Sequence, residues 1–269
     1  MLKRICGAVL ALAMAAAGQA QPQQTEQPAT IGAHPNLNGI WQAMNTAHWN
    51  LEAHSAEALD EFWRMGAMAA IPAGPSFLKG GGRIPYLPEA LAQRDARRAA
   101  WPAADPEANC YMLGLPRATY HNMPFQIFQD DGGDLLMSYP FAATNRVIYM
   151  SDHREAPIDS WMGRSNGRWE GEVLVIETTG QNGESWFDRA GNFASNQLKV
   201  TERFTRLGPD HLWYEATMED PQTFSAPWTI EMPLYRHIEP QAQLYEHKCV
   251  PFADKLLYQD LLGLDGGQD

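Results

Sequence analysis

The chain of 269 residues carries 32 Asp and Glu against 20 Lys and Arg, a formal charge of −12, with 45% apolar and 19% charged residues. That apolar content excludes wholesale disorder, and 10 Phe, 9 Trp and 9 Tyr are ample for one large core. The acidic balance argues against nucleic acid or an anionic membrane surface as the main partner.

In chain order, Lys3 and Arg4 precede an apolar run from Ile5 to Ala17, followed by Gly18 and Ala20. A cationic head, a short hydrophobic stretch and small residues before a cleavage point predict a signal peptide over residues 1–20, cut after Ala20. The run is shorter than the roughly 20 residues a membrane-spanning helix needs, and no second stretch qualifies. The expected location is periplasmic or secreted, without integral membrane association. Cys6 leaves with the peptide, and the remaining Cys110 and Cys249 predict a disulfide in an oxidising compartment, with two buried thiols as the alternative.

Residues 21–36 are Gln- and Pro-rich and read as a flexible leader; 37–269 read as a single domain with a helical insertion over 50–101. Leu51, Leu59, Phe62, Trp63, Met65 and Met68 recur at roughly helical spacing and predict an amphipathic helix over 50–68. Gly80, Gly81 and Gly82 read as a flexible connection. With no GK[ST] or GxGxxG around them, no cofactor is expected. A second helix is predicted over 88–101, with Pro88 at its start, Glu89 in its first turn, and Arg94, Arg97 and Arg98 toward its end. Short runs rich in β-branched and aromatic residues then predict strands over 124–129, 134–141, 145–151, 164–169, 172–179, 198–206, 211–219, 226–236 and 243–249, separated by hairpin-type turns. A short helix is predicted over 254–262. The fold class is therefore mainly β. Together with the segment around Trp41, these runs predict an antiparallel meander closing into a lipocalin/calycin-like barrel of about 8–10 strands.

Strand alternation then points to chemistry. Glu202 shares a face with Leu198, Val200 and Phe204; Arg146 alternates with Ile148 and Met150, and Glu177 with Val173 and Val175. If those faces line the barrel, an acid–arginine constellation sits inside it. It would serve either as a group that orients a ligand or moves a proton, or as an ion pair that fixes register. The stretch containing Trp161, Arg164, Trp169, Trp186, Asp188 and Arg189 suits a mostly apolar cavity for a flat or cyclic molecule, with Tyr214 as a further lining residue; the same tryptophans also suit plain core. The eight histidines show no HxH or HExxH spacing, so no metal site is expected. No GxSxG surrounds any serine, which argues against covalent serine hydrolysis.

Several blocks resemble a widespread family of uncharacterised exported bacterial proteins: IPYLPEAL (84–91), DPEANC (105–110), PRATY (116–120), NGRWEG (166–171), WFDRAG (186–191) and VTER (200–203). The resemblance covers most of 84–255 and implies secretion and one compact domain, but no reaction and no catalytic residues. His121 and Asn122 depart from the apolar or aromatic pair usual there, so the resemblance does not favour His121 as a shared catalytic group. The spacing of Gly39 and Trp41 is also similar to the opening strand of lipocalin-like barrels.

Three functional readings follow. The preferred one is an exported barrel that binds a small apolar or aromatic molecule in its interior. The second is a cofactor-independent lyase, isomerase or hydrolase using Glu202, Arg146 and Glu177. The third is an envelope protein with a filled core.

Overall fold

The computed structural model describes residues 28–59 and 70–251. The predicted signal peptide and the predicted helix over 254–262 lie outside these residues. Two short hairpins stand apart from the main sheet: β1 (Thr30–Ile31) with β2 (His34–Pro35), and β4 (Glu57–Ala58) with β5 (Ala70–Ile71).

Nine strands close into a barrel, as the turn spacing predicts. They are β3 (Gly39–Gln42), β6 (Phe125–Phe128), β7 (Leu135–Tyr139), β8 (Thr144–Tyr149), β9 (Arg164–Glu170), β10 (Val173–Thr179), β11 (Lys199–Arg206), β12 (His211–Glu219) and β13 (Trp228–Arg236). Neighbours follow chain order from β6 to β13, and β13 closes the ring on β3 through Tyr235↔Gln42 and Arg236↔Trp41. One pairing breaks the predicted meander. β8 and β9 run parallel, through Ile148↔Ser165 and Tyr149↔Asn166, so the chain returns along the barrel over 150–163 before β9 begins. The sharpest hairpin joins Glu170 to Val173, with Gly171 at φ 62, a left-handed value that favours glycine.

Alternation fills the barrel. Val200 and Phe204 of β11, Leu212, Tyr214, Ala216 and Met218 of β12, and Ile230, Met232 and Leu234 of β13 are buried in one core with Phe125, Met137 and Ile148. One mouth, where Gln42, Tyr139, Thr144, Thr179 and Glu219 end or begin their strands, is capped by residues 43–59 and 70–120. Lys79 N–H donates to the Thr229 carbonyl at 2.8 Å, Leu87 N–H to Thr223 at 2.9 Å, and Tyr120 OH to Phe187 at 2.9 Å.

Within the cap, the predicted helix over 88–101 is present as α1 (Pro88–Ala99); its Ala90 packs with Trp186 and Phe193. A one-turn helix, α2 (Arg117–Tyr120), wholly buried, was not predicted. The predicted helix over 50–68 is corrected for its described part. Residues 50–59 are irregular and end in β4, because side chains take over local backbone groups: Asn50 Oδ1 accepts the Glu52 N–H at 2.9 Å, and His54 Nδ1 meets the Glu52 carbonyl at 2.9 Å. The predicted strand over 243–249 joins no ladder. It is tied down by the Cys110–Cys249 disulfide, and its His247 stacks on Phe141 with ring centroids 5.6 Å apart.

Candidate functional site

At the barrel centre Arg146 and Glu202 meet as their strand parity predicts. Arg146 Nη2 donates to Glu202 Oε2 at 2.5 Å and to Thr178 Oγ1 at 2.9 Å, and its Nε donates to Ser165 Oγ at 2.8 Å. The other oxygen of Glu202 accepts from Tyr214 OH at 2.8 Å and from Thr119 Oγ1 at 3.4 Å. Every member is buried, and burial together with the Glu202 charge pushes the Tyr214 phenol well above its ordinary pKa. A pair with each oxygen occupied and aliphatic and aromatic side chains on all sides is what structural ion pairing requires.

Glu177 does not join it. β10 turns Leu174, Ile176 and Thr178 inward, while Glu177 lies on the outer face with its side chain 42% exposed, paired with Arg168 at 2.8 Å. The alternation with Val173 and Val175 is real but belongs to the outer face.

The residues of 161–189 are also dispersed. Trp161 stacks on Tyr111 at 5.1 Å, beside Cys110; the Arg164 guanidinium lies 3.7 Å from the Tyr149 ring centroid; Trp169 stacks on His34 at 4.5 Å. Trp186 is core against α1. Asp188 is buried and accepts from the backbone N–H groups of Leu51, Ala190 and Asn192 and from the Asn192 amide, with burial raising its pKa to about 6. Tyr214 belongs to the central pair. These six do not line one cavity.

The cap holds a second polar cluster. Arg117, on α2, grips Asp105 with two hydrogen bonds of 2.8 and 2.9 Å and also bonds Glu107. Glu107 accepts from Arg189 Nε at 3.0 Å and Nη2 at 2.5 Å, and lies 3.1 Å from His121 Nε2. Burial opposes the Glu107 charge, but Arg117 and Arg189 outweigh it and hold the carboxyl well below its ordinary pKa. His48 lies beside His121, ring centroids 6.2 Å apart. Burial, then the Arg189 charge, lowers His48 to about 3, and burial lowers His121 as well.

Arg189 links this cluster to a cavity of about 330 Å³. Its guanidinium sits 4.3 Å over the Trp49 ring, and Trp49 meets Trp101 edge-on at 6.0 Å. Asn50, His54, Glu57, Arg98 and Pro102 also line it, and Arg98 pairs with Glu57 at 2.7 Å. At the opposite mouth an open groove runs between Arg206, Asp210, Arg236 and residues 237–242; there Arg236 is already taken by Asp210 at 2.7 Å.

Among the described residues no group of three metal-ligating side chains comes together. No described helix is long and apolar enough to cross a membrane. Trp49, His54 and Trp101 of the cavity escaped sequence reasoning because they sit on irregular segments where periodicity is silent. The visible hint was Arg189, a charge two positions after the buried Phe187 in WFDRAG. No family model, curated protein or solved structure matches this chain.

Proposed function

We propose that this is an exported β-barrel protein of the family its sequence blocks resemble, and that it binds a small, flat, largely apolar molecule at the capped mouth of the barrel. The observation that carries the reading is the 330 Å³ cavity with Trp49 and Trp101 in its wall and Arg189 held over Trp49. That volume is in the range of small-molecule sites, and indole faces beside one fixed cation suit an aromatic ring. The binding place differs from the barrel interior expected from sequence, because the inward side chains there already pack against one another around the Arg146–Glu202 pair. In this reading the central pair holds strand register and does not touch ligand.

Calorimetric titration with 4-methylanisole as an aromatic probe tests the reading. Saturable binding is expected, weakened about tenfold or more in Trp49→Ala, a loss of roughly 1.4 kcal/mol, and unaltered by changes in the opposite groove such as Gln241→Ala. Absence of binding, or binding indifferent to Trp49, overturns it. The export component is checked by intact mass of the protein recovered outside the cytoplasm, which should begin at Gln21.

A further inference from the structure

We infer that the capped cavity lets go of its ligand on acidification, because a proton taken up by the buried His48 displaces the Arg189 guanidinium from its seat over Trp49. The inference rests on the binding reading above and names how that site is regulated.

His48 stands between the polar cluster of the cap and the cavity. Its neighbour in the chain, Trp49, lies in the cavity wall, and its backbone carbonyl accepts the Arg189 N–H at 3.0 Å. Arg189 therefore meets this pair of residues twice, through its backbone at His48 and through its guanidinium, 4.3 Å over the Trp49 ring. The His48 ring is buried, with the Trp49 ring centroid 5.6 Å away and that of His121 6.2 Å away. The charged and titratable groups that act on it come from three other segments: Glu107 from the loop before α2, Arg117 and His121 from α2 and its end, and Arg189 from the stretch between β10 and β11.

That neighbourhood has no place for a further positive charge. The charges of Asp105, Glu107, Arg117 and Arg189 cancel, and Glu107 already serves Arg117, Arg189 and His121. Asp188, which also acts on Arg117, is held by its own N–H donors. A protonated imidazole donates from both nitrogens, and His48 Nδ1 is buried without a hydrogen-bond partner among the described residues. Burial, then the Arg189 charge, accordingly lowers the His48 pKa to about 3. One exchange restores the balance: His48 takes the proton, and Arg189 gives up Glu107 for solvent. Of the two arginines Arg189 has that route, its side chain being 21% exposed against 1% for Arg117, which grips Asp105 with two bonds. With Arg189 gone, Trp49 loses the cation above its ring. Below pH 6.5 this open arrangement binds a proton that the closed one refuses, so a ligand that needs the closed one binds more weakly as pH falls.

Calorimetric titration of the full chain with 4-methylanisole, a probe that carries no titratable group, tests this. Affinity is expected to fall about tenfold or more from pH 7.5 to pH 5.0 while far-UV ellipticity stays constant. Binding at pH 5.5 should release about one proton, read by repeating the titration in buffers of different ionisation enthalpy. In His48→Gln the loss of affinity and the proton release should both largely vanish. Constant affinity, proton uptake, or a loss that appears only as ellipticity is lost overturns the inference and leaves the binding reading standing, whether or not the variant folds. Uptake would assign the effect to Asp188, whose pKa, raised to about 6, pulls the other way. A pH dependence that survives in a folded His48→Gln protein also overturns it, since the proton then acts elsewhere, as at His54 in the wall. If 4-methylanisole does not bind at pH 7.5, both readings fall.

Discussion

Arg117 and Thr119 lie two positions apart on α2, yet they serve different buried carboxylates. Arg117 grips Asp105 and Glu107 in the cap, while Thr119 Oγ1 reaches Glu202 at the barrel centre, 3.4 Å away. This one-turn helix is thus the joint between the ring of strands and the polar cluster that backs the cavity. Ion-pairing in the cap and ion-pairing in the barrel share one rigid element.

The central pair makes the first prediction. Glu202→Gln leaves Arg146 buried and without its counter-charge, and Arg146→Met does the same to Glu202; each should cost about 3–5 kcal/mol. The double replacement Arg146→Met with Glu202→Gln should cost clearly less than the sum of the two singles. Urea unfolding of the four proteins measures the coupling. Glu177→Gln, on the outer face and half-exposed, should stay within about 0.5 kcal/mol of the parent.

Stability should fall on acidification. His48 has its pKa lowered from 6.5 to about 3 by burial and by Arg189, so between those values the unfolded chain binds a proton that the folded protein refuses. A depressed pKa gives stability that is present above pH 6.5 and is lost as pH drops toward 3, at up to about 1.4 kcal/mol per pH unit for such a group. His121, lowered in the same direction, adds to it. Asp188 acts oppositely: raised from 3.8 to about 6, it favours the folded state as pH falls through that window and blunts the loss there. Unfolding curves from pH 7 to 4 should show a shallower decline in His48→Gln than in the parent.

Removing the disulfide should be costly. Cys110 and Cys249 are 139 positions apart, and a loop of that length corresponds to up to about 5 kcal/mol in the chain-entropy model. Paired Cys110→Ser and Cys249→Ser replacement should lower the urea midpoint strongly, and reductant should lower the parent but not the variant.

Gly74→Ala should damage both fold and cavity. The new methyl would press on Thr46 Oγ1 and the His54 ring, at about 1–3 kcal/mol of stability. Because His54 lies in the cavity wall and moves with it, the affinity for 4-methylanisole should fall, which titration of the folded variant reads directly.

How much was legible in the chain follows the reach of periodicity. Glu202 was placed inside because it stands between Val200 and Phe204 on a strand whose other face is polar, and Arg146 because it alternates with Ile148 and Met150. Glu177 was misplaced because β10 is apolar on both faces: Val175 is buried on the outer side as Leu174 and Ile176 are on the inner, so alternation carries no parity signal. The parallel β8–β9 pairing was invisible, since a strand's sequence does not state the direction of its neighbour. The cavity is built from Trp49, His54, Trp101 and Arg189, on turns and irregular segments whose positions depend on side-chain-to-backbone bonds such as that of His54 to Glu52. Those bonds are specific to the folded neighbourhood and have no repeat to read.

The seam between β3 and β13 governs the order of assembly. Gly39 to Gln42 can complete their hydrogen bonding only when Tyr235 and Arg236 arrive, nearly the whole described chain later. A chain still being synthesised therefore holds an open, incomplete sheet with two unpaired margins until its last strand emerges, and such margins invite pairing with other chains. Folding helpers would find their substrate in that interval, and a protein truncated before Trp228 should accumulate as aggregate rather than as a smaller folded form.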